Sequence, residues 1–497
     1  MSKAEKRRHH HHPSPQPTKK LHSAFPSTPP KRPIFNSHLQ VPNLPPQIRH
    51  LCDIISSTPS TSVEKILDET DLRVSQETVE QVLKLSYAHP GPAVKFFRWS
   101  GYQLNDKHSP YAWNLVVDLL GKNSLFDAMW DAIKSMNKEG LLSLATFASV
   151  FSSYVIAGNV RDAIMTFEVM EQYGCKQDII ALNSLLSAIC RDGETIDAVE
   201  FLRVAKGRIR PDADTYAILL EGWENQGDVV NARQTFTEMV VEIGWDPANV
   251  PAYGSFLCTL LKGRDGIYEA INSFKTLADR RCYPGMKFFK VALEKCLKNH
   301  DVRGGELVWE AMIGLGRIGL RPDTLIYNSM MTLYCYSNDI GAAIKLLDEM
   351  VYNGAFPDMQ TYNVLFQFLI KCRKLREASG LFNEMVKNEC VLNQENCCAA
   401  IRIYMDSGDP YIAIKFWKYM MENYHSDLSE TGNLFVVGLC DMDMHPEAVK
   451  YAKGMIEKGI QLTPSSLLKL KQCLAKARKV LVYEELSRKC QSANLSR

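Results

Sequence analysis

The sequence predicts an all-α solenoid of stacked helical hairpins, and three observations predict it. The first is self-similarity. "RPDTLIYNSMMTLYCYSNDIGAAIKLLDEM" (Arg321–Met350) is followed by "FPDMQTYNVLFQFLIKCRKLREASGLFNEM" (Phe356–Met385), with Pro322 and Pro357, Tyr327 and Tyr362, Asn328 and Asn363, and Ala343 and Ala378 each 35 residues apart. A fixed period on that scale marks a repeat architecture. The second is that each unit holds two helical stretches of about a dozen residues either side of a polar turn such as "SND", "KCRK", "SGD" or "AGN". The third is punctuation: "YNGAFPD", "GRIRPD" and "IGLRPD" set Gly and then Pro after the second stretch, which are helix stop signals. The Asp that follows is placed to cap the next helix. A hairpin of this size cannot bury its apolar faces alone and must stack on its neighbours.

Taken in order, the chain begins with a different composition. The first fifty residues contain ten prolines, the run His9–His12 and few large apolar side chains. Such a segment cannot bury enough surface to offset its ordering entropy, so residues 1–61 read as a disordered, basic, Pro-rich stretch. The histidine run reads as a polar low-complexity tract before it reads as a metal site. From about Ser62 the pattern turns helical. "VSQETVEQVLKLSYAHPGPAVKFFRWSG" reads as two helices broken at Pro90-Gly91-Pro92, so residues 62–109 form capping helices or a degenerate repeat.

The tandem units occupy residues 110–463. Numbered so that the Tyr-Asn pair falls at positions 4 and 5, they begin at Pro110, Leu144, Ile179, Ala213, Val250, Met286, Thr324, Met359, Gln394 and Ser429. On that frame Ala163, Ala198, Ala232, Ala343, Ala378, Ala413 and Ala448 share position 20. Met136, Met170, Met239, Met312, Met350, Met385, Met420 and Met455 share position 27. Ala lets two helices approach closely, and Met fills the irregular space where hairpins meet. Two units run long, through "GWDPANVPAYG" and "AMIGLGRIGLRPD". Residues 464–497 read as polar capping helices and a tail, with Lys469, Lys471, Lys476, Arg478 and Lys479.

Bulk properties narrow the classes. No apolar run approaches the roughly 20 residues needed to cross a bilayer. The 14 cysteines show no C-x-x-C spacing and lie in helical-looking stretches, which fits free thiols in a reducing compartment. The net charge of +2 conceals an asymmetry: residues 1–50 carry +8 and the remainder −6. Nucleic acid held by general electrostatics is thereby disfavoured, and any such ligand needs a local groove.

A 35-residue helical hairpin with Tyr-Asn opening helix one, Ala and then Glu-Met in helix two, and Pro-Asp at the join resembles the pentatricopeptide repeat family. The likeness runs from Pro110 to Thr463, with degenerate flanks from about Val74 and to Cys490. The rival tetratricopeptide opening, W-x2-L-G-x2-Y, does not recur. The chain looks like the pure-repeat P class of plant organelles. The resemblance implies a right-handed superhelical solenoid of about ten 35-residue repeats with degenerate capping hairpins. It also implies single-stranded RNA in the inner groove, one base per repeat, read by two or three side chains.

The chemistry is reasonable. Positions 2 and 5 lie about a turn apart on one face, and an Asn amide offers both donors and acceptors. In this family, Asn with Asp at the fifth and last positions favours U, Asn with Asn a pyrimidine, and Asn with Ser C. Asn183 with Asp212 and Asn328 with Asp358 then imply U, Asn363 with Asn393 a pyrimidine, and Asn114 with Ser143 C. Ala148 with Asp178, Ala217 with Asn249, Gly254 with Gly285, Lys290 with Asp323, Cys398 with Leu428 and Asn433 with Thr463 specify no base. Ile180 and Leu325 supply the aliphatic position 2 that stacks on a base, whereas Asp214, Glu395 and Glu430 depart from it and would repel phosphate unless locally offset. For any single Asn, capping of the first helical turn is the plainer reading. The five at one register favour RNA.

Other motifs fail on context. "GLGRIG" (Gly314–Gly319) has no preceding strand and joins two repeats. His445–Glu447 matches half of a deaminase signature without its P-C-x-x-C half, and Pro446 simply opens a helix. No catalytic residue, metal or cofactor is expected. The expected partner is an organelle transcript, bound by a monomer, with other RNA-processing or translation proteins as further partners. The same groove could instead hold a peptide, making the chain a protein scaffold. The head is basic and acid-poor as transit peptides are, yet Pro13, Pro15 and Pro17 forbid an amphipathic helix, and "KRRHHHHPSPQPTKK" also has the form of a two-part nuclear signal. The resemblance places the protein in the mitochondrion, with chloroplast and nucleus as alternatives.

Overall fold

The computed structural model describes residues 35–105, 107–316, 319–424 and 428–495. Among them are twenty-six α-helices and two short 3-10 turns, and no strand. The first helix of every tandem unit begins at the residue the register predicts, from Pro110–Lys122 and Leu144–Ile156 through to Gln394–Asp406 and Ser429–Asp441.

The described residues divide into two compact units, one running up to Arg210 and the other from Pro211 onward. Within each, a first helix packs on its hairpin partner and on the first helix of the following repeat. The repeated small and flexible positions lie at these contacts. Ala163 and Ala198 in the first unit, and Ala232, Ala343, Ala378, Ala413 and Ala448 in the second, are fully buried. So are Met136, Met170, Met239, Met312, Met350, Met385, Met420 and Met455. In the unit beginning at Met286, position 20 is Gly305, where a Cβ would lie 2.4 Å from Leu333 Cδ1. Local crowding thus explains the missing Ala.

Tyr at position 4 has a similar logic. Tyr327 and Tyr362 are buried, and their hydroxyls accept from Asn353 Nδ2 at 3.0 Å and Asn388 Nδ2 at 2.8 Å. The Tyr362 hydroxyl also donates to Glu384 Oε1 at 3.0 Å. One buried ring therefore fastens helix one to the end of helix two and satisfies its own polar tip. The chain leaves the second helix through left-handed Gly354 (φ 81), where lack of a Cβ removes the penalty.

One boundary moves. The disordered reading extended to residue 61, but Pro46–Ser57 is a helix that buries Ile48, Leu51, Cys52, Ile54 and Ile55. Proline is tolerated in the first helical turn, where its missing N–H has no intrahelical partner to lose, and the apolar side chains recur at helical spacing. The basic run and His9–His12, with the transit-segment reading, lie outside the described residues. The prolines at 90 and 92 likewise open a helix, Pro90–Gln103, and the break falls just before them. Pro464–Lys476 and Val480–Leu495 form the closing helix pair. No helix among the described residues is long and apolar enough to cross a membrane.

Candidate nucleic-acid interface

The last residue of each repeat is also the N-cap of the next first helix, and this fixes its place. Asp178 accepts from Ala181 N at 2.9 Å, Asp212 from Thr215 N at 2.8 Å and Asp358 from Thr361 N at 2.8 Å. Asn393 accepts from Asn396 N at 2.8 Å, and Thr463 from Ser466 N at 3.2 Å. Ser143 forms a capping box with Thr146. Each satisfies an N–H that has no partner within its own helix. Asp178, Asp358, Asn393, Thr463 and Ser143 are solvent-exposed nonetheless.

Position 5 meets this cap from the preceding repeat. Asn328 Nδ2 donates to Asp358 Oδ1 at 3.2 Å, and Asn328 Oδ1 accepts from the Thr361 hydroxyl at 2.6 Å. Asn363 Oδ1 accepts from Asn393 N at 2.7 Å and Asn396 Nδ2 at 3.1 Å. Its Nδ2 donates to the carbonyls of Met359 at 2.8 Å and Val391 at 3.2 Å. Asn433 repeats the pattern: it accepts from Thr463 N at 2.8 Å and donates to Ser429 O at 2.7 Å and Gln461 O at 2.8 Å. In the first unit, Asn114 Oδ1 accepts from the Thr146 hydroxyl at 2.6 Å, and Ser143 N donates to that same hydroxyl at 3.4 Å. Asn183 lies in the first unit and its partner position, Asp212, opens the second. Ala148 has no polar side-chain atom to offer Asp178.

Electrostatics follow from these bonds. Partial burial works to raise the Asp358 carboxyl, yet hydrogen bonds from Thr361 and Asn328 outweigh it and hold the group below the usual carboxylate range. The charged form therefore stays at the cap. Lys290 and Asp323, which specify no base in the sequence, make an ion pair at 2.6 Å. Position 5 and the last residue thus meet here through charge. Lys287, at position 2 of the same repeat, pairs with Glu224 Oε1 at 2.7 Å.

Position 2 points outward. Ile180 is 63% exposed and Leu325 is 50% exposed, which leaves both open to a flat apolar partner. Asp214, Glu395 and Glu430 are exposed too. Glu395 shares a depression of about 880 Å³ with Asn393, Cys398 and Arg402. Arg402 brings to that depression the local positive charge a phosphate would need.

Position 3 of the following repeat escaped notice in the sequence. Thr146, Thr361, Asn396 and Thr431 all touch the position-5 side chain before them, Thr431 through Cys398 Sγ at 2.8 Å. The signal was present in the recurrent Thr that precedes the position-4 aromatic.

Comparison with known proteins places these repeats. A model described as pentatricopeptide repeat-containing protein matches residues 114–239, and two further pentatricopeptide repeat models match residues 322–370 and 360–390. A mitochondrial pentatricopeptide repeat-containing protein of Arabidopsis thaliana is 35% identical over 190 residues, which is 38% of this chain and 37% of that relative's length. Another mitochondrial one from the same plant is 26% identical over 80% of this chain and 68% of its own length. Among solved structures, the maize pentatricopeptide repeat protein PPR10 aligns at 16% identity, a TM-score of 0.40, and coverage of 87% and 66% of the two chains. PPR10 in complex with an 18-nucleotide psaJ RNA element aligns at 20% identity and a TM-score of 0.44, covering 90% and 65%. The 35-residue register is now matched by family models in both compact units, and the chain is a pentatricopeptide repeat protein.

Proposed function

We propose that the chain binds single-stranded RNA along the faces of its first helices, one nucleotide per repeat, and has no catalytic chemistry of its own. One observation carries this. Repeat after repeat, the side chain at position 5 lies within hydrogen-bonding distance of the exposed cap that ends its repeat or of that cap's helical turn. Beside it an aliphatic position 2 stands in solvent at Ile180 and Leu325. Aliphatic stacking with an amide beside it is the equipment for holding one base. Affinity then sums over the engaged repeats and does not depend on net charge, which is negative over residues 51–497. Membership of the pentatricopeptide repeat family agrees with that ligand class.

The finer reading is a P-class protein of a plant organelle, the mitochondrion in preference to the chloroplast or nucleus, supported by the mitochondrial designation of several relatives. Occupation of one site on a transcript would stabilise it, define its end, or open it to splicing or translation factors. Selection from a randomised single-stranded RNA pool tests the reading, with Asn328→Ala/Asp358→Ala alongside. Enrichment of two U positions four apart, the second followed by a pyrimidine, with loss of the second U in the variant, is expected. No enriched motif and no binding above background at moderate salt would overturn it in favour of a peptide-binding scaffold.

A further inference from the structure

The position-5 amides fall into two bonding states. At Asn363 and Asn433 both Nδ2 hydrogens are taken by main-chain carbonyls, while Oδ1 accepts from the main-chain N–H of the following cap. Those amides have no donor left to offer. At Asn114 and Asn328 the cap's N–H is instead accepted by a threonine hydroxyl, at 3.4 Å for Ser143 N to Thr146 and 3.1 Å for Asp358 N to Thr361. That hydroxyl points its own proton at the Asn Oδ1 at 2.6 Å in both repeats, the shorter of two bonds at Thr361, whose hydroxyl also lies 2.9 Å from Asp358 Oδ1. The threonine thus relays the bond and moves the amide one atom further from the main chain.

The relay also fixes which way round the amide sits. An amide alone can turn over and exchange its donor for its acceptor. Oδ1 of Asn328 is held by a donated hydroxyl proton, and Nδ2 faces a carboxylate that only accepts. One N–H and one lone pair remain, in a set order, on a residue that is itself only 3% exposed, so that a base reaches them only at the edge of the amide. That order matters because uracil and cytosine differ by the same exchange: uracil presents an acceptor at O4 and a donor at N3, and cytosine the reverse. An amide free to turn over reads both.

We propose that the hydroxyls of Thr361 and Thr146 are positioning groups that set base choice at Asn328 and Asn114, each acting from the next repeat. This rests on the RNA reading above. Asn363 and Asn433 serve as clamps between repeats: the following position 3 is Asn396 at the one, and at the other Ser466, whose hydroxyl pairs with the Thr463 hydroxyl at 2.9 Å and so does not relay the cap's N–H, a pairing the carboxylate cap Asp358 has no hydroxyl to make. Whether a repeat discriminates is then decided partly by a residue in its neighbour.

The test uses the full chain, RNA oligonucleotides carrying the selected motif, and the variants Thr361→Val, Thr361→Ser and Thr146→Val. The readout is the ratio of dissociation constants for the four bases opposite Asn328, with the same ratio opposite Asn114 as internal control. T361V is expected to reduce the preference opposite Asn328 about fivefold, the worth of one oriented hydrogen bond. It leaves the Asn114 position unchanged, and T361S restores the preference. T146V is expected to do the converse, and decides alone should T361V not fold. A T361V or T146V protein that keeps full preference at its own position, or weakens equally for all bases, overturns the proposal and leaves RNA binding intact. A parent chain with no base preference anywhere overturns the RNA reading and this proposal with it.

Discussion

Replacing Asn433 by alanine should loosen the C-terminal repeats by about 2–3 kcal/mol, on the scale set for stranded polar groups. Asn433 is 6% exposed, and its side-chain bonds divide into those that matter and those that do not. Ser429 O keeps its ordinary helical partner four residues on, and the Thr463 hydroxyl keeps Ser466 Oγ at 2.9 Å. The losses without replacement are the acceptor for Thr463 N–H and the donor for Gln461 O, now bonded at 2.8 Å each. A stranded group costs about 1–3 kcal/mol, and water reaching the exposed Thr463 and Gln461 holds each near the lower end. Repeat arrays need not unfold in one step, so the assay is local: amide exchange across Pro464–Lys476. Asn433→Asp keeps the acceptor but sets a carboxylate oxygen against two carbonyl oxygens, and should cost at least as much as alanine. An alanine variant within about 0.5 kcal/mol of the parent, the range of ordinary surface changes, would refute the clamp.

Two further outcomes are expected. Ala378→Leu adds three carbons at a fully buried contact between helices and should destabilise its repeat by about 1–3 kcal/mol through overpacking, seen as a lower denaturant midpoint. A double-mutant cycle on Lys290 and Asp323 should give a coupling below about 1 kcal/mol, because both side chains are over a third exposed and solvent screens such pairs.

Much of this architecture stood in the letters. Every first helix starts where the Tyr-Asn frame puts it, because Asp-, Asn-, Ser- and Thr-type caps, Gly stops and helical periodicity are local rules that the stacking reinforces. The burial of Ala at position 20 and Met at position 27 was equally legible, since residue size alone selects those sites. The helix at Pro46–Ser57 was not: its proline-rich approach dominated the composition, and composition averages over the five side chains that bury it. Nor was the ion pair of Lys290 with Asp323. A charge at position 5 matches no family letter, and only geometry shows that it reaches the same cap as the asparagines do.

The proposed base-reading side of the site was legible only in half, for a reason that lies in the chemistry of helix starts. The residue that ends a repeat must cap the next helix, and the set that caps well, Asp, Asn, Ser and Thr, is the same set that would read a base. A capping letter is therefore expected at that place whether or not RNA is bound there. Asn at position 5 carries a similar double meaning, since Asn363 and Asn433 spend both donors on main-chain carbonyls within the fold. On the reading proposed above, the two uses divide at the third residue of the following helix, which either takes the cap's N–H onto a hydroxyl, as Thr146 and Thr361 do, or leaves it to the amide. That residue lies 32 or 33 positions from the asparagine it orients. Within a single repeat nothing marks it, and the contact exists only once two hairpins have stacked.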